Sequence, residues 1–169
     1  TGIGGDVLIG YQAGNSKNAS DVASSTMVGY RAGYTSAPSD ATGINTFVGY
    51  RAGYSVTTGV QNTFIGARSG YSNTTGTENT AVGVGAGYSI TGNSDITAIG
   101  YFAGNSQGTN SVAIGYNAGA NTQSYNSVAI GTNAGNISQL ARTVAIGDNA
   151  AQTGQKVEAV ATESGFRTI

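Results

Sequence analysis

A ten-residue phrase recurs along this 169-residue chain, and no other feature narrows the possible folds as much. One copy reads Asn45-Thr46-Phe47-Val48-Gly49-Tyr50-Arg51-Ala52-Gly53-Tyr54. The next two run from Asn62 to Tyr71 and from Asn79 to Tyr88. With the first Gly of each copy as a pivot, copies stand at Gly10, Gly29, Gly49, Gly66, Gly83, Gly100, Gly115, Gly131 and Gly147. A degenerate tenth is read with Ala161 at the pivot. Their spacings are 19, 20, 17, 17, 17, 15, 16, 16 and 14, and the length changes fall between the cores. A fixed core with a variable spacer is what a solenoid requires, because cores stack on one another while spacers are surface turns. Helical repeats need about 33 residues or more. A period of 14 to 20 therefore predicts a coil of two short strands and two turns.

Local chemistry agrees. Val, Ile, Thr, Phe and Tyr fill the cores and favour strands. Gly, Ser, Asn and Thr fill spacers such as Thr57-Thr58-Gly59 and Thr74-Thr75-Gly76, and Pro38, the single proline, lies in a spacer. A small pair follows each pivot, as in Ala32-Gly33 and Ala52-Gly53, and its Gly is expected to take a positive φ or to permit close backbone approach. Asn45, Asn62 and Asn79 share a column that could form a stacked amide ladder.

Composition fits a fibre better than a globule. Leu, Ile, Val and Phe number 31 of 169 residues, about 18%, too few for an ordinary core of this length. Charged residues make up only 9%, unlike a disordered tail. With no His and no Cys, Ser-His-Asp or Cys-His catalysis and the usual zinc sites are excluded. Seven basic residues and a net charge of -1 argue against nucleic acid, and no apolar run is long enough to insert into a membrane. The eight acids are scattered without recurrent pairing, so no glycosidase-like carboxylate pair is expected. The expectation is a non-enzyme with neither cofactor nor metal. The chain begins at Thr1 without Met or a signal-like stretch, which reads as a fragment or processed product.

The strand pattern also bears on assembly. The residue before each pivot is always Ile or Val: Ile9, Val28, Val48, Ile65, Val82, Ile99, Ile114, Ile130 and Ile146. This column is expected to be core. The opposite face carries Leu8, Met27, Phe47 and Phe64, then Ala81, Ala98, Ala113, Ala129 and Ala145. Neither face is charged before the tenth copy, and one thin coil can cover only one of them. The second face therefore calls for another subunit, with the Phe-to-Ala change marking closer approach of subunits if that face lines the axis. The alternative is a monomeric solenoid with an Ala-rich exposed face. The domain reading is nine coils over residues 1–151, then a degenerate tenth coil and C-terminal transition over 152–169.

The segments Asn110-Ser111-Val112-Ala113-Ile114-Gly115, Asn126-Ser127-Val128-Ala129-Ile130-Gly131 and Thr143-Val144-Ala145-Ile146-Gly147 resemble the YadA-like head repeats of trimeric autotransporter adhesins. The N-terminal Asn-Thr-Phe-Ile-Gly form with Thr-Thr-Gly spacers is similar to repeats of phage tail-fibre proteins. The resemblance runs from about Asp6 to Ala151. It implies an all-β fold, a left-handed parallel β-roll or β-solenoid of about ten coils. It also implies an intertwined or side-by-side homotrimer that projects extracellularly from a virion or bacterial cell and binds host surfaces. The spacers depart from the shortest, 14-residue adhesin repeat, and the family's anchor, coiled-coil stalk and chaperone have no counterpart in these residues.

Columns are the candidate sites. Arg31, Arg51 and Arg68 share one position. Tyr34, Tyr54, Tyr71 and Tyr88 form a second column, and Tyr11, Tyr30, Tyr50, Tyr101 and Tyr116 a third. Arg charge and Tyr stacking suit an anionic host-surface polysaccharide, or a protein receptor. Alternatively Tyr packs the turns and Arg keeps the strand surface soluble. The sequons at Asn18, Asn73 and Asn136 carry little weight in an Asn- and Thr-rich chain. Four functions stay open: a phage tail fibre, a bacterial adhesin head, a structural spacer, and an ice-binding solenoid using the column Thr26, Thr46, Thr63, Thr80 and Thr97.

Overall fold

The computed structural model describes residues 5–16, 24–37 and 44–162; Asn18, Asp21, Pro38, Asp40 and Glu163 lie outside them. The described chain is all-β and forms a parallel β-solenoid. Ten strands build its main sheet: β1 (Val7–Ile9), β2 (Thr26–Val28), β3 (Thr46–Val48), β4 (Thr63–Ile65), β5 (Thr80–Val82), β6 (Thr97–Ile99), β7 (Val112–Ile114), β9 (Val128–Ile130), β11 (Val144–Ile146) and β13 (Val160–Ala161). Every neighbouring pair is parallel and in register with the repeat, so that Phe47 pairs Phe64 and Ala113 pairs Ala129. Among the described residues the second predicted strand exists only in the C-terminal coils, as β8 (Asn121–Gln123), β10 (Ile137–Gln139) and β12 (Thr153–Gln155). The spacers between Gly49 and Gly100 are turns that still bond coil to coil, for example Thr57 N–H to the Thr74 carbonyl at 2.8 Å.

Stacking continues around the corner after each pivot. The Gly49 amide donates to Val28 and the Arg51 amide to Tyr30, both at 2.8 Å, while Gly33 donates to Ala52 in the following coil at 2.9 Å. Superimposed corners demand superimposed dihedrals. Two glycines per coil meet that demand from Gly10 to Gly135; in the coil of Gly147 the second place holds Ala151, with φ 47°. The pivot Gly49 has φ 139°, and a Cβ there would sit 2.5 Å from the carbonyl oxygen of Gly66 in the next coil. The second glycine, Gly53, has φ 58°, and a Cβ there would strike the Phe47 ring at 2.8 Å. The expected glycine turn is thus present, and both columns also allow close approach.

The inward column is the middle residue of each strand. Met27, Phe47, Phe64, Ala81, Ala98, Ala113, Ala129 and Ala145 are all 0% exposed. This reverses the expected core. The residues flanking each middle position point outward, because side chains alternate and only one face can enter a three-residue rung. Ile9, Ile65, Ile99 and Ile146 are 58%, 38%, 39% and 44% exposed, and Val28, Val48, Val82, Ile114 and Ile130 are half-buried. Phe47 and Phe64 are core as expected. The Phe-to-Ala change therefore lies inside each coil of the single chain, not at a face awaiting a partner. Its compensation is internal. Where Ala81 and Ala98 replace Phe, Ile90 and Gln107 are buried nearby. Gln123 and Gln139 do the same in later coils, their amides donating to the Val112 and Val128 carbonyls at 2.9 and 2.8 Å.

The predicted asparagine ladder is present. Asn45, Asn62 and Asn79 are buried. Asn45 Oδ1 accepts from the Asn62 amide at 2.9 Å, Asn62 Oδ1 from the Asn79 amide at 3.1 Å, and Asn79 Oδ1 from the Ile96 amide at 3.1 Å. Each side-chain amide donates to a spacer carbonyl: Gly59 at 2.9 Å, Gly76 at 2.9 Å and Asn93 at 2.8 Å. The ladder thus ties spacers to cores. The tenth rung needs one correction. Ala161 pairs Ala145, so it occupies the inward position and not the pivot. Alternation favours this placement, since it sends the small residue inside.

Gly66→Ala would force a Cβ into φ 129° and against the Gly83 backbone. We expect a loss of about 2 kcal/mol or more in urea unfolding, with amide exchange accelerated first around β4 and β5. Phe64→Ala, which removes a fully buried ring, is expected to cost about 3–5 kcal/mol. Wild-type stability for either variant would contradict the stacking described.

Candidate functional site

The corner after the pivot places the candidate residues. The residue two after each pivot is left-handed in every coil: Gln12, Arg31, Arg51, Arg68, Phe102, Asn117, Asn133 and Asn149 have φ between 48° and 57°, and Gly85 has φ 65°. This shared conformation aims the arginines out from one edge of the coil. Each arginine amide donates to the preceding coil, Arg68 to Tyr50 at 2.8 Å, so the column is held by the backbone ladder itself.

Arg31 and Arg51 are engaged. The Arg31 guanidinium lies 5.2 Å from the ring centroids of both Tyr30 and Tyr34, and its Nε donates to Gln12 Oε1 at 2.7 Å. Arg51 sits 5.2 Å from Tyr50 and 5.4 Å from Tyr54. Both are half-buried, sandwiched between aromatic faces. Arg68 differs. Position 67 carries Ala where its predecessors have Tyr, so one side of the sandwich is missing, and the Arg68 side chain is exposed.

The tyrosine columns are ladders of stacked rings. Centroid separations are 5.5 Å for Tyr11–Tyr30, 5.4 Å for Tyr30–Tyr50 and 5.3 Å for Tyr101–Tyr116. Those for Tyr34–Tyr54, Tyr54–Tyr71 and Tyr71–Tyr88 are 5.1, 5.2 and 5.0 Å. The faces expected to meet a sugar are thus spent on one another, and the ladder leaves edges and hydroxyls at its flank. Free faces occur where a ladder stops.

One such stop lies between Tyr50 and Tyr101. Ala67 and Val84 occupy the two intervening rungs, and an open concavity of 460 Å³ forms there. Tyr50 and Tyr101 stand at its ends, Ala67, Val84 and Gly85 line it, and Arg68 and Phe102 complete it. Phe102 stands at the arginine position of its coil but folds over Gly85, where a Cβ would meet its ring at 2.9 Å. It packs edge-on to Tyr101 at 4.8 Å and against Tyr88 at 6.5 Å. Reading the position after each pivot down the chain gives Tyr, Tyr, Tyr, Ala, Val, Tyr, Tyr, Thr, Asp. The interruption was thus available to sequence inspection, but the tyrosines alone drew attention.

A second left-handed column, on the residue two before the strand in β4, β5, β6, β7, β9, β11 and β13, holds Gln61, Glu78, Asp95, Asn110, Asn126, Arg142 and Glu158. It corrects the expectation of unpaired acids. Stacking brings Glu78 against Asp95, whose hydrogen bond and charge raise the Glu78 pKa above its usual value. At the other end Arg142 Nε meets Glu158 Oε1 at 3.0 Å, an exposed ion pair. Among the described residues no cluster of three or more His, Cys, Asp or Glu could hold a metal ion, and no helix is long and apolar enough to cross a membrane. Asn73 is buried in a turn that accepts from the Gly76 amide at 2.8 Å, so its sequon is not presented. The threonine column of β2 to β6 is half-buried beside the Ile/Val strip. No protein-family model, curated protein or solved structure matches this chain.

The acidic stack makes a pH prediction. A raised folded pKa means that Glu78 contributes stability below the ordinary carboxylate range and loses it as pH rises through the raised value. Glu78→Gln, a residue the column already tolerates at Gln61, should therefore unfold at higher temperature than wild type at pH 7. The two proteins should converge near about pH 4. Equal melting temperatures at pH 7 would remove the repulsion.

Proposed function

We propose that this chain is a non-enzymatic segment of a homotrimeric extracellular fibre that mediates attachment to a host or cell surface, as in a phage tail fibre. The observation that carries the reading is the outward Ile/Val strip. It runs along the main sheet with one branched apolar side chain per rung, and Ile9, Ile65, Ile99 and Ile146 are more than a third exposed. Over nine rungs, eight spacings of ~4.8 Å, it extends roughly 40 Å. A soluble protein rarely leaves so long an apolar stripe open. Its period also selects the partner. A surface that matches a 4.8 Å repeat along its whole length is most simply another copy of the same solenoid. Closed symmetry around a shared axis covers the strip on every copy at once. The need for a second subunit survives the exchange of inner and outer faces, because an apolar face still lies outside.

Attachment rests on the resemblance to adhesin heads and tail fibres together with the Arg and Tyr columns along one edge. A bacterial adhesin head is the second reading, favoured by the Ser-Val-Ala-Ile-Gly coils. The surface ligand fitting the columns is a polysaccharide with acidic groups, or a protein presenting carboxylates.

Analytical ultracentrifugation tests the assembly. The wild-type chain is expected to sediment as a trimer. Ile65→Lys, Ile99→Lys and Ile146→Lys together should yield smaller, still β-rich species, since these positions do not enter the coil interior. A folded wild-type monomer at tens of micromolar would overturn the proposal.

A further inference from the structure

We propose that the interruption between Tyr50 and Tyr101 is a binding site for an acidic sugar ring, with Arg68 as the carboxylate-recognising residue. The inference deepens the attachment reading and rests on it for the choice of a carbohydrate. It localises recognition to one place instead of the whole arginine and tyrosine array.

Three observations converge there. First, each end of the interruption closes a stack, with Tyr50 backed by Tyr30 at 5.4 Å and Tyr101 by Tyr116 at 5.3 Å. Across the interruption Tyr50 and Tyr101 stand three rung spacings apart, ~14 Å. Two successive rungs carry no ring, which leaves the 460 Å³ concavity open to solvent. Second, both walls are packed before any ligand arrives. Tyr101 is braced by the edge of Phe102 at 4.8 Å, and Tyr50 by the Arg51 guanidinium at 5.2 Å. Packed aromatic side chains suit the apolar C–H groups of a pyranose, and prior ordering lowers the cost of binding. Third, Arg68 is the one arginine of its column released from the double-tyrosine sandwich. Its guanidinium has no ion pair among the described residues and borders the concavity. A planar fork of donors beside an apolar slot is the complement of a carboxylate carried on a ring.

The repeat supplies its own test variants. Tyr stands at the position of Val84 and Ala67 in five other coils, and Gln stands at the position of Arg68 in Gln12. The double variant Ala67→Tyr/Val84→Tyr should fold, complete the ladder and fill the slot. Arg68→Gln should fold and remove only the fork. The probes are the methyl glycosides of glucuronic acid and of glucose, titrated into the full chain and followed by NMR at the Val84 methyls and the Phe102 ring. The wild type should show saturable shifts with the glucuronide. Arg68→Gln should weaken that binding roughly tenfold while leaving the weaker glucoside unchanged. The double variant, read at Phe102, should abolish both.

Absence of saturable shifts in a protein that sediments as a trimer overturns the site and leaves the fibre reading standing. Glucuronide binding that persists unchanged in both variants places recognition elsewhere and also overturns it. If the double variant instead breaks the trimer, the slot receives a neighbouring subunit's side chain and the sugar site is wrong. Slot binding by a protein that sediments as a monomer would uphold the site while the fibre reading fails.

Discussion

Everything in this molecule depends on backbone hydrogen bonds that run from coil to coil, through the corners as well as the strands. A bond between equivalent residues of successive coils forms only if both have the same dihedrals. That requirement reaches positions where L-residues are uncomfortable. Gly29, Gly49, Gly66 and their equivalents sit at φ from 123° to 139°, and Arg31, Arg51 and Arg68 near 55°. Non-glycine residues persist in the left-handed region because each corner amide gains a partner in the preceding coil, such as Arg51 to Tyr30 at 2.8 Å. The same ladder explains the columns. Residues stacked at a fixed rise must tolerate their own copies, which favours stacking rings, amides that bond head to tail, and small residues at the tightest points.

The interior follows a second rule, constant filling of a changing cross-section. Coils of 17 to 20 residues enclose Met27, Phe47 and Phe64, or, in the 17-residue coil of Ala81, Ala with Ile90; coils of 15 and 16 enclose Ala with Gln107, Gln123 or Gln139. Glutamine at the core is tolerable because its amide reaches a strand carbonyl, as Gln139 does to Val128 at 2.8 Å. Where the strand residue shrinks, a side chain from the spacer of the same coil fills the space.

These relations explain what could be read from residue order and what could not. The solenoid, its register, the glycine corners and the asparagine ladder are all legible, because each repeats with the period and each has one workable geometry. The inner face was not. Val128-Ala129-Ile130 and Thr63-Phe64-Ile65 present uncharged residues on both sides, so alternation alone carries no sign of direction. The clue lies in variance: Phe at one rung and Ala at another requires compensation within a closed interior, whereas the uniform Ile and Val column lies outside it. The tyrosines misled for a related reason. Their columns are legible in residue order, but stacking consumes the faces that suit a ligand, and the concavity opens where two rungs carry no ring, at Ala67 and Val84. The Glu78–Asp95 contact escaped notice because 17 residues separate the two acids, and adjacency is set by the coil period.

The coil-to-coil bonds also decide how such a rod answers tension. They lie nearly parallel to its long axis, so a pull from end to end is shared by all the bonds around one perimeter at once. Separation at any interface must break strand, corner and side-chain ladders together instead of unzipping them singly. A rod held this way resists stretching along its length while each coil adds only a few ångströms of reach, and the Asn45–Asn62–Asn79 ladder extends that shared resistance to the spacers of the N-terminal half.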